Sequence, residues 1–181
     1  MTLQQSVIKT PIGGLTLISR DDVLIAVAFE RDDASTGRWL ERRFGPLRME
    51  RSEDPAGAAS ALRAYFEGDL AALERVKVDT GGTEFQREVW SALRRIPLGT
   101  TVSYAWLAAR IGRPTAVRAV GAANGSNPIP IIIPCHRVIA ADGTLCGYGG
   151  GLDRKRWLLS HEGAMPSVAR ASPLSRQMPL W

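Results

Sequence analysis

Between Ser6 and Glu30 the chain reads SVIKTPIGGLTLISRDDVLIAVAFE, three apolar segments of strand length separated by Pro-Ile-Gly-Gly and Arg-Asp-Asp. Aliphatic and β-branched residues suit the pleated, half-buried surface of a sheet, and Pro, Gly and Asp stand where the chain must reverse. The stretch predicts a three-stranded β-meander, and a sheet with an apolar face needs a covering layer. TGRWLERRF and PAGAASALRAYFEG, the latter ended by Gly68, supply candidate helices, and ERVKVDT reads as a further strand. No catalytic cluster appears in this region, which is expected to serve as a packing partner.

After TGGT (Thr80–Thr83), read as a hinge, the pattern changes from strand to helix. Thr83 with Gln86 forms a capping-box signature, and Phe85, Val89, Leu93 and Ile96 recur on one helical face until Pro97 and Gly99 stop it. Ser103 is placed to cap a helix carrying Leu107, Ala108 and Ile111, with Gly112 at its end. Thr115, after Pro114, is placed to cap a second helix carrying Val117, Val120 and Ala123. This is a helix-turn-helix pattern whose second helix is built from small residues, with Arg118 as its long charged side chain. The expected class is α+β: a sheet-and-helix domain over residues 1–80 and a mostly helical domain over 81–165, with 166–181 as a flexible tail.

The charge follows the same division. Residues 1–83 carry 11 Lys and Arg against 13 Asp and Glu, whereas residues 84–181 carry 12 against 5, so the net charge of +5 lies wholly in the second part. Its cations are arginines except Lys155, which suits contact with a polyanion, although a solvated basic face would look the same. With 45% hydrophobic and 23% charged residues the chain is ordinary globular material. No apolar run approaches the roughly 20 residues needed to cross a bilayer, and MTLQQSVIKTPIGG lacks a secretory pattern, so a cytoplasmic protein with no membrane partner is expected. Two cysteines, Cys135 and Cys146, are too few for a disulfide scaffold and are expected as free thiols.

The stretch IPIIIPCHRVIA (Ile129–Ala140) is apolar enough for a buried strand, yet Pro-Cys-His-Arg interrupts it. Cys135 reads either as an inert buried side chain or as a nucleophile whose thiol is made acidic by the adjacent His136 and Arg137. On a strand, neighbours point to opposite faces, so a third group or a water would have to complete any relay between His136 and the sulfur. A zinc site built from Cys135, His136, Cys146 and His161 is set aside, because no short Cys-to-Cys pair of structural spacing exists; no metal and no cofactor are expected. The loop CGYGGGLDRKRWLLSHEG sets glycines around Tyr148, which lets backbone approach a flat ligand, before a helix ended by Gly163.

These motifs together, RAVGAANGSNPIP, IIIPCHRVI and GYGGGLDRKRWLLSHEG, resemble the methylated-DNA-protein cysteine methyltransferases, the alkylguanine-DNA alkyltransferase family, in its stand-alone bacterial type. The resemblance is dense from Thr83 to Gly163 and looser through TPIGGLTL and YFEGDL in the N-terminal region. It implies a ribonuclease H-like N-terminal domain and a winged-helix-like C-terminal domain. It implies DNA repair, in which Cys135 takes an alkyl group from the oxygen-6 of guanine, and by extension the oxygen-4 of thymine, so that each molecule acts once. His136 would deprotonate Cys135 through a water, Glu162 would orient the imidazole, Asn127 would hold the active-site turn, and Tyr104 would donate to a ring nitrogen of the departing base. Tyr104, Val138, Tyr148, Gly149 and Gly150 would form the base pocket. Thr115, Arg118, Ala119, Gly121, Ala122, Ala123 and Asn124 would face the minor groove of double-stranded DNA, with Arg118 replacing the flipped-out nucleotide. A monomer is expected, with cooperative loading along DNA left open.

Gly149 stands where many family members have Ser or Ala, and Cys146 adds a second thiol near the site. A cysteine hydrolase would need a separate His and Asn or Asp motif that the sequence lacks. A non-catalytic DNA-binding regulator would not need Cys135.

Overall fold

The computed structural model describes residues 1–30 and 33–165 of the 181; the expected tail over 166–181 lies outside the described residues. The meander forms as the pattern requires. Strands β1 (Thr2–Thr10), β2 (Gly13–Arg20) and β3 (Val23–Phe29) pair antiparallel in sequence order, with a bulge at Ile18/Ser19. Helix α1 (Asp33–Phe44) covers one face through Leu40, which packs with Leu3, Ile18 and Ile25. A fourth strand, β4 (Arg48–Arg51), joins parallel to β1 and sets the order β3-β2-β1-β4. All four of its residues are exposed, so it carries no apolar alternation by which the sequence could announce it.

Helix α2 (Ala58–Phe66) covers the other face of the sheet and buries Leu62 and Tyr65 completely. ERVKVDT is not a strand. It begins in a short 3₁₀ turn and touches the sheet through one isolated bridge, Val78 to Leu24. TGGT is a packed turn rather than a loose hinge. Gly81 and Gly82 both adopt positive φ, and a Cβ on Gly82 would lie 2.6 Å from the Trp90 ring.

Helix α3 (Glu84–Leu93) starts at the expected capping box, with both reciprocal Thr83–Gln86 hydrogen bonds formed. Strand β5 (Val102–Ser103) leads into α4 (Tyr104–Arg110), where Ser103 Oγ accepts from the Trp106 N–H at 3.0 Å as expected. Helix α5 (Val117–Gly125) does not use the expected cap. The preceding turn closes on itself through Ala116 N–H to Arg113 O, so Ala116 becomes the N-cap and Thr115 is left exposed without a capping bond. Strand β6 (Val138–Ile139) pairs parallel with β5, and α6 (Leu152–His161) closes the described chain.

The two regions share one apolar core. Leu15, Leu17 and Phe29 of the sheet and Leu62 and Tyr65 of α2 lie in the same cluster as Val89, Leu93, Leu107, Val120, Cys135 and Leu158. A backbone hydrogen bond from Val27 N–H to Pro128 O adds to the junction.

Candidate active site

The run Ile129–Ile133 is buried throughout but is not a strand. Prolines 130 and 134 cannot donate to a ladder, and Ile133 N–H turns back to Ile129 O at 2.9 Å while Ile131 takes φ +75°. The expected buried strand is therefore a closed loop. Asn127 clamps it at both ends, donating from Nδ2 to Ile133 O at 2.8 Å and accepting from Ile129 N–H at 3.0 Å. Cys135–Arg137 then makes a single 3₁₀ turn, so Cys135 and His136 are not on opposite faces of a strand. Cys135, 5% exposed, lines a cleft of about 430 Å³ formed by β3, α1, α5 and the Gly147–Gly150 loop.

Behind the thiol, His136 is fully buried, and its Nε2 meets Glu162 Oε1 at 2.9 Å. Glu162 sits at the end of α6 and is buried itself. Arg137 does not face the sulfur as expected. It turns to the carboxylate, donating from Nε to Oε2 at 2.8 Å and from Nη2 to Oε1 at 3.0 Å, with Nη1 on Ile96 O. A fourth donor is the Tyr65 hydroxyl of α2, 2.8 Å from Oε1. Burial opposes ionisation of Glu162, but the hydrogen bonds from His136 and Arg137 and the charge of Arg137 outweigh it and hold the carboxyl well below the usual range.

The thiol is not acidic at rest. Burial pushes Cys135 up to about 11, against the opposing hydrogen bond from Asn127 and the charge of Lys155. Burial also lowers His136, with Glu162 pulling the other way, so the imidazole is neutral in the folded protein. Its Nδ1 makes no hydrogen bond among the described residues, which leaves it as the ring atom able to take a proton.

Tyr104, half-buried at the start of α4, is pushed up to about 12 by burial and by the neighbouring Cys146 and Cys135 thiols, with Asn124 opposing. Its hydroxyl is therefore a durable hydrogen-bond donor. Gly121 of α5 packs on its ring, where a Cβ would be 3.8 Å from Cδ1.

The loop beside the cleft is held from two sides. The fully buried Lys155 donates from Nζ to the carbonyls of Val138 at 2.6 Å, Cys146 at 2.7 Å and Gly147 at 3.3 Å. Arg154 donates to Gly150 O at 2.9 Å and to Ile12 O, in the β1–β2 turn, at 2.6 Å. Its guanidinium lies over the Phe29 ring at 4.8 Å, and Phe29 meets Tyr148 edge-on at 6.1 Å. Tyr148 turns its hydroxyl inward and packs its ring edge-on to His136 at 6.4 Å. Gly149 lines the cleft and is exposed, whereas Gly150 is buried against Phe29 and Tyr148.

Several sequence-based assignments change. Val138, expected in the base pocket, does not line the cleft: it is fully buried on β6 within the apolar core. Ala123 and Asn124 do not face outward. Ala123 is buried and its carbonyl accepts from Trp90 Nε1 at 2.8 Å, while Asn124 is buried with Nδ2 3.5 Å from Cys135 O. Thr115, Arg118, Ala119 and Ala122 do form an exposed surface on the helix-turn-helix. Tyr65 and Lys155 had no sequence signal beyond being a tyrosine in a helix and a lone lysine. Among the described residues no group of three or more His, Cys, Asp and Glu converges as a metal site, and both cysteines are free.

Fold and site define a class: a helix-turn-helix protein with one buried thiol on the wall of a cleft, backed by a His-Glu pair and braced by a sheet region. Two family models match the chain. Residues 84–164 match the 6-O-methylguanine DNA methyltransferase DNA binding domain, and residues 3–80 match its ribonuclease-like domain. The chain belongs to the 6-O-methylguanine DNA methyltransferase family. The methylated-DNA–protein-cysteine methyltransferase of Salmonella typhimurium is 46% identical over 166 residues, covering 90% of this chain and 97% of that protein. A Mycobacterium tuberculosis protein of the same name is 49% identical over 158 residues, covering 86% and 89%. The crystal structure of Mycobacterium tuberculosis OGT in complex with DNA superposes with a TM-score of 0.74 at 41% identity, covering 93% of this chain and 96% of that one. The O6-methylguanine-DNA methyltransferase of Pyrococcus kodakaraensis gives 0.70 at 25% identity, covering 89% and 99%.

Among the described residues no helix is long and apolar enough to cross a membrane.

Proposed function

We propose that this chain repairs duplex DNA in the cytoplasm by moving an alkyl group from the oxygen-6 of guanine to its own Cys135, once per molecule. The observation that carries the reading is the placement of Cys135 on the cleft wall with the buried His136–Glu162 pair directly behind it. In the step itself a sulfur–carbon bond forms as the carbon–O6 bond breaks. The thiol proton passes through a water to His136 Nδ1 and ends on the guanine ring, so thiol and alkylguanine become thioether and guanine. Because the resting thiol stays protonated, its proton must leave as the substrate arrives rather than beforehand. Glu162, kept ionised, stabilises the imidazolium that forms, and Tyr104 donates to the base as negative charge develops on it.

The target carbon is out of reach inside a helix, so the base must rotate out into the cleft. Residues Thr115, Arg118, Ala119 and Ala122 fit the minor groove, where small side chains permit close approach and readout is degenerate. Arg118 would hold the gap in the stack. Residues 1–80 act as the structural domain and 81–165 as the DNA-binding and acceptor domain, with the protein working as a monomer. Oxygen-4 of thymine presents the same alkyl–oxygen bond and is a second substrate on this reading.

The deciding experiment is intact mass after mixing with a duplex carrying one O6-methylguanine, followed by peptide mapping. One added methyl on Cys135, never more than one per molecule, is the expected result. Methyl uptake by Cys135→Ser would overturn it, and bound DNA with no mass change would favour a non-catalytic regulator.

A further inference from the structure

Glu162 accepts more hydrogen bonds than its pairing with His136 requires. Oε2 takes Arg137 Nε, whereas Oε1 takes Arg137 Nη2 at 3.0 Å, His136 Nε2 at 2.9 Å and the Tyr65 hydroxyl at 2.8 Å. A carboxylate offers about four acceptor sites over two oxygens, so three donors on Oε1 compete for the same electron density. Arg137 already reaches both carboxylate oxygens with charge-assisted hydrogen bonds. Tyr65 is fully buried and is held in place by its neighbours: its carbonyl meets His161 Nε2 at 2.7 Å, and its ring packs edge-on against His161 and Phe66 at 5.0 and 5.2 Å. Packing of that kind would be served equally by phenylalanine, and a hydroxyl in an apolar interior is costly unless it has a purpose-placed partner.

We infer that Tyr65, carried by the N-terminal region, is a positioning residue of the active site, its hydroxyl setting how strongly Glu162 holds the proton on His136. The inference rests on the relay proposed above. By drawing density from Oε1, the phenol weakens the hold of the carboxylate on an imidazolium and keeps the imidazole neutral, ready to accept the thiol proton. The other groups facing His136 are Arg137 and Cys135 on its own turn, Lys155 from α6 and the edge of the Tyr148 ring from the cleft loop. Arg137 and Lys155 are cations that act in the same direction as the phenol, and burial, the largest influence, lowers His136 further. Tyr65 is also raised far above its ordinary value by burial and by Glu162, so it remains a donor at every working pH. The sheet region is thus part of the chemistry and more than a brace.

The test is the pH dependence of the methyl-transfer rate for Tyr65→Phe, which removes only the hydroxyl. Losing one hydrogen bond to a charged acceptor is a roughly tenfold effect, so the acid limb should move up by about one pH unit. Transfer should then be about tenfold slower on the acid limb, below the pH at which the unaltered protein's rate has halved, and equal to the unaltered protein well above it. A purely structural role would lower the melting temperature and leave the two profiles parallel, which would overturn the inference. Glu162→Gln separates the two levels. If it shifts the profile and Tyr65→Phe does not, the Tyr65 inference alone fails; if neither variant shifts it, the relay itself fails. Should Tyr65→Phe not fold, NMR of the unaltered protein decides. The Tyr65 hydroxyl proton should appear downfield, exchange slowly and show an Overhauser contact to the His136 ring, and absence of that resonance would overturn the inference.

Discussion

Arg154 Nε donates to the carbonyl oxygen of Ile12 at 2.6 Å, joining the start of α6 to the first β-turn across 142 positions of chain. The same guanidinium holds Gly150 O, so one side chain ties the loop that flanks Cys135 to the sheet region, beside the Phe29–Tyr148 ring contact. Gly13 makes room for it: its φ is +104°, and a Cβ there would lie 3.1 Å from Arg154 Nη2.

Arg154→Ala is expected to cost about 2 kcal/mol of folding stability, since two charge-assisted hydrogen bonds and a ring contact with Phe29 go together. Arg154→Lys should recover little, because an ammonium lacks the planar fork that reaches two carbonyls at once. Urea unfolding of both variants checks this, and a lysine variant as stable as the unaltered protein would contradict it.

Lys155→Met should be more damaging. Three carbonyls, the buried one of Val138 and the part-buried ones of Cys146 and Gly147, lose their shared donor, at about 3 kcal/mol in total and roughly 8 °C in melting temperature. Calorimetry reads the loss directly. A change below 2 °C would mean that other donors replace the ammonium.

Arg118→Ala removes an exposed side chain from the first turn of α5 and should leave stability within about 0.5 kcal/mol. Reaction with O6-methylguanine in duplex DNA should slow at least tenfold, while reaction with the free modified base stays unchanged. Paired rate measurements distinguish the two, and equal losses would remove Arg118 from base extrusion.

Stability should fall on both sides of neutrality. His136 is held below its ordinary 6.5, so below that pH the unfolded chain binds a proton that the folded one does not, and stability drops as pH falls. Glu162, also depressed, extends the loss through the carboxylate range. Cys135 is raised to about 11, so above about pH 9 the unfolded thiol ionises first and stability drops as pH rises. Urea midpoints from pH 4 to 10 should therefore plateau between roughly 6.5 and 9. A midpoint that keeps rising below pH 6 would reverse the assignment for His136.

What the sequence alone determined is local. The meander, the Thr83–Gln86 capping box and the Ser103 cap follow from periodicity and from groups within a few residues of each other, and such interactions form wherever the rest of the chain goes. Pro-Cys-His-Arg with its flanking motifs likewise marked Cys135 as the candidate nucleophile. Tertiary structure decided everything that depends on distant partners. The apolar Ile129–Ile133 became a clamped loop because Asn127 and two prolines outweighed strand propensity. Arg137, two residues from the thiol in sequence, was drawn away by Glu162, and burial then made Cys135 less acidic where its cationic neighbours had suggested the reverse. Tyr65 and Glu162 lie 97 positions apart, and Arg154 and Ile12 lie 142 apart. No spacing rule reaches so far, since these contacts exist only once the shared core has brought sheet and helices together.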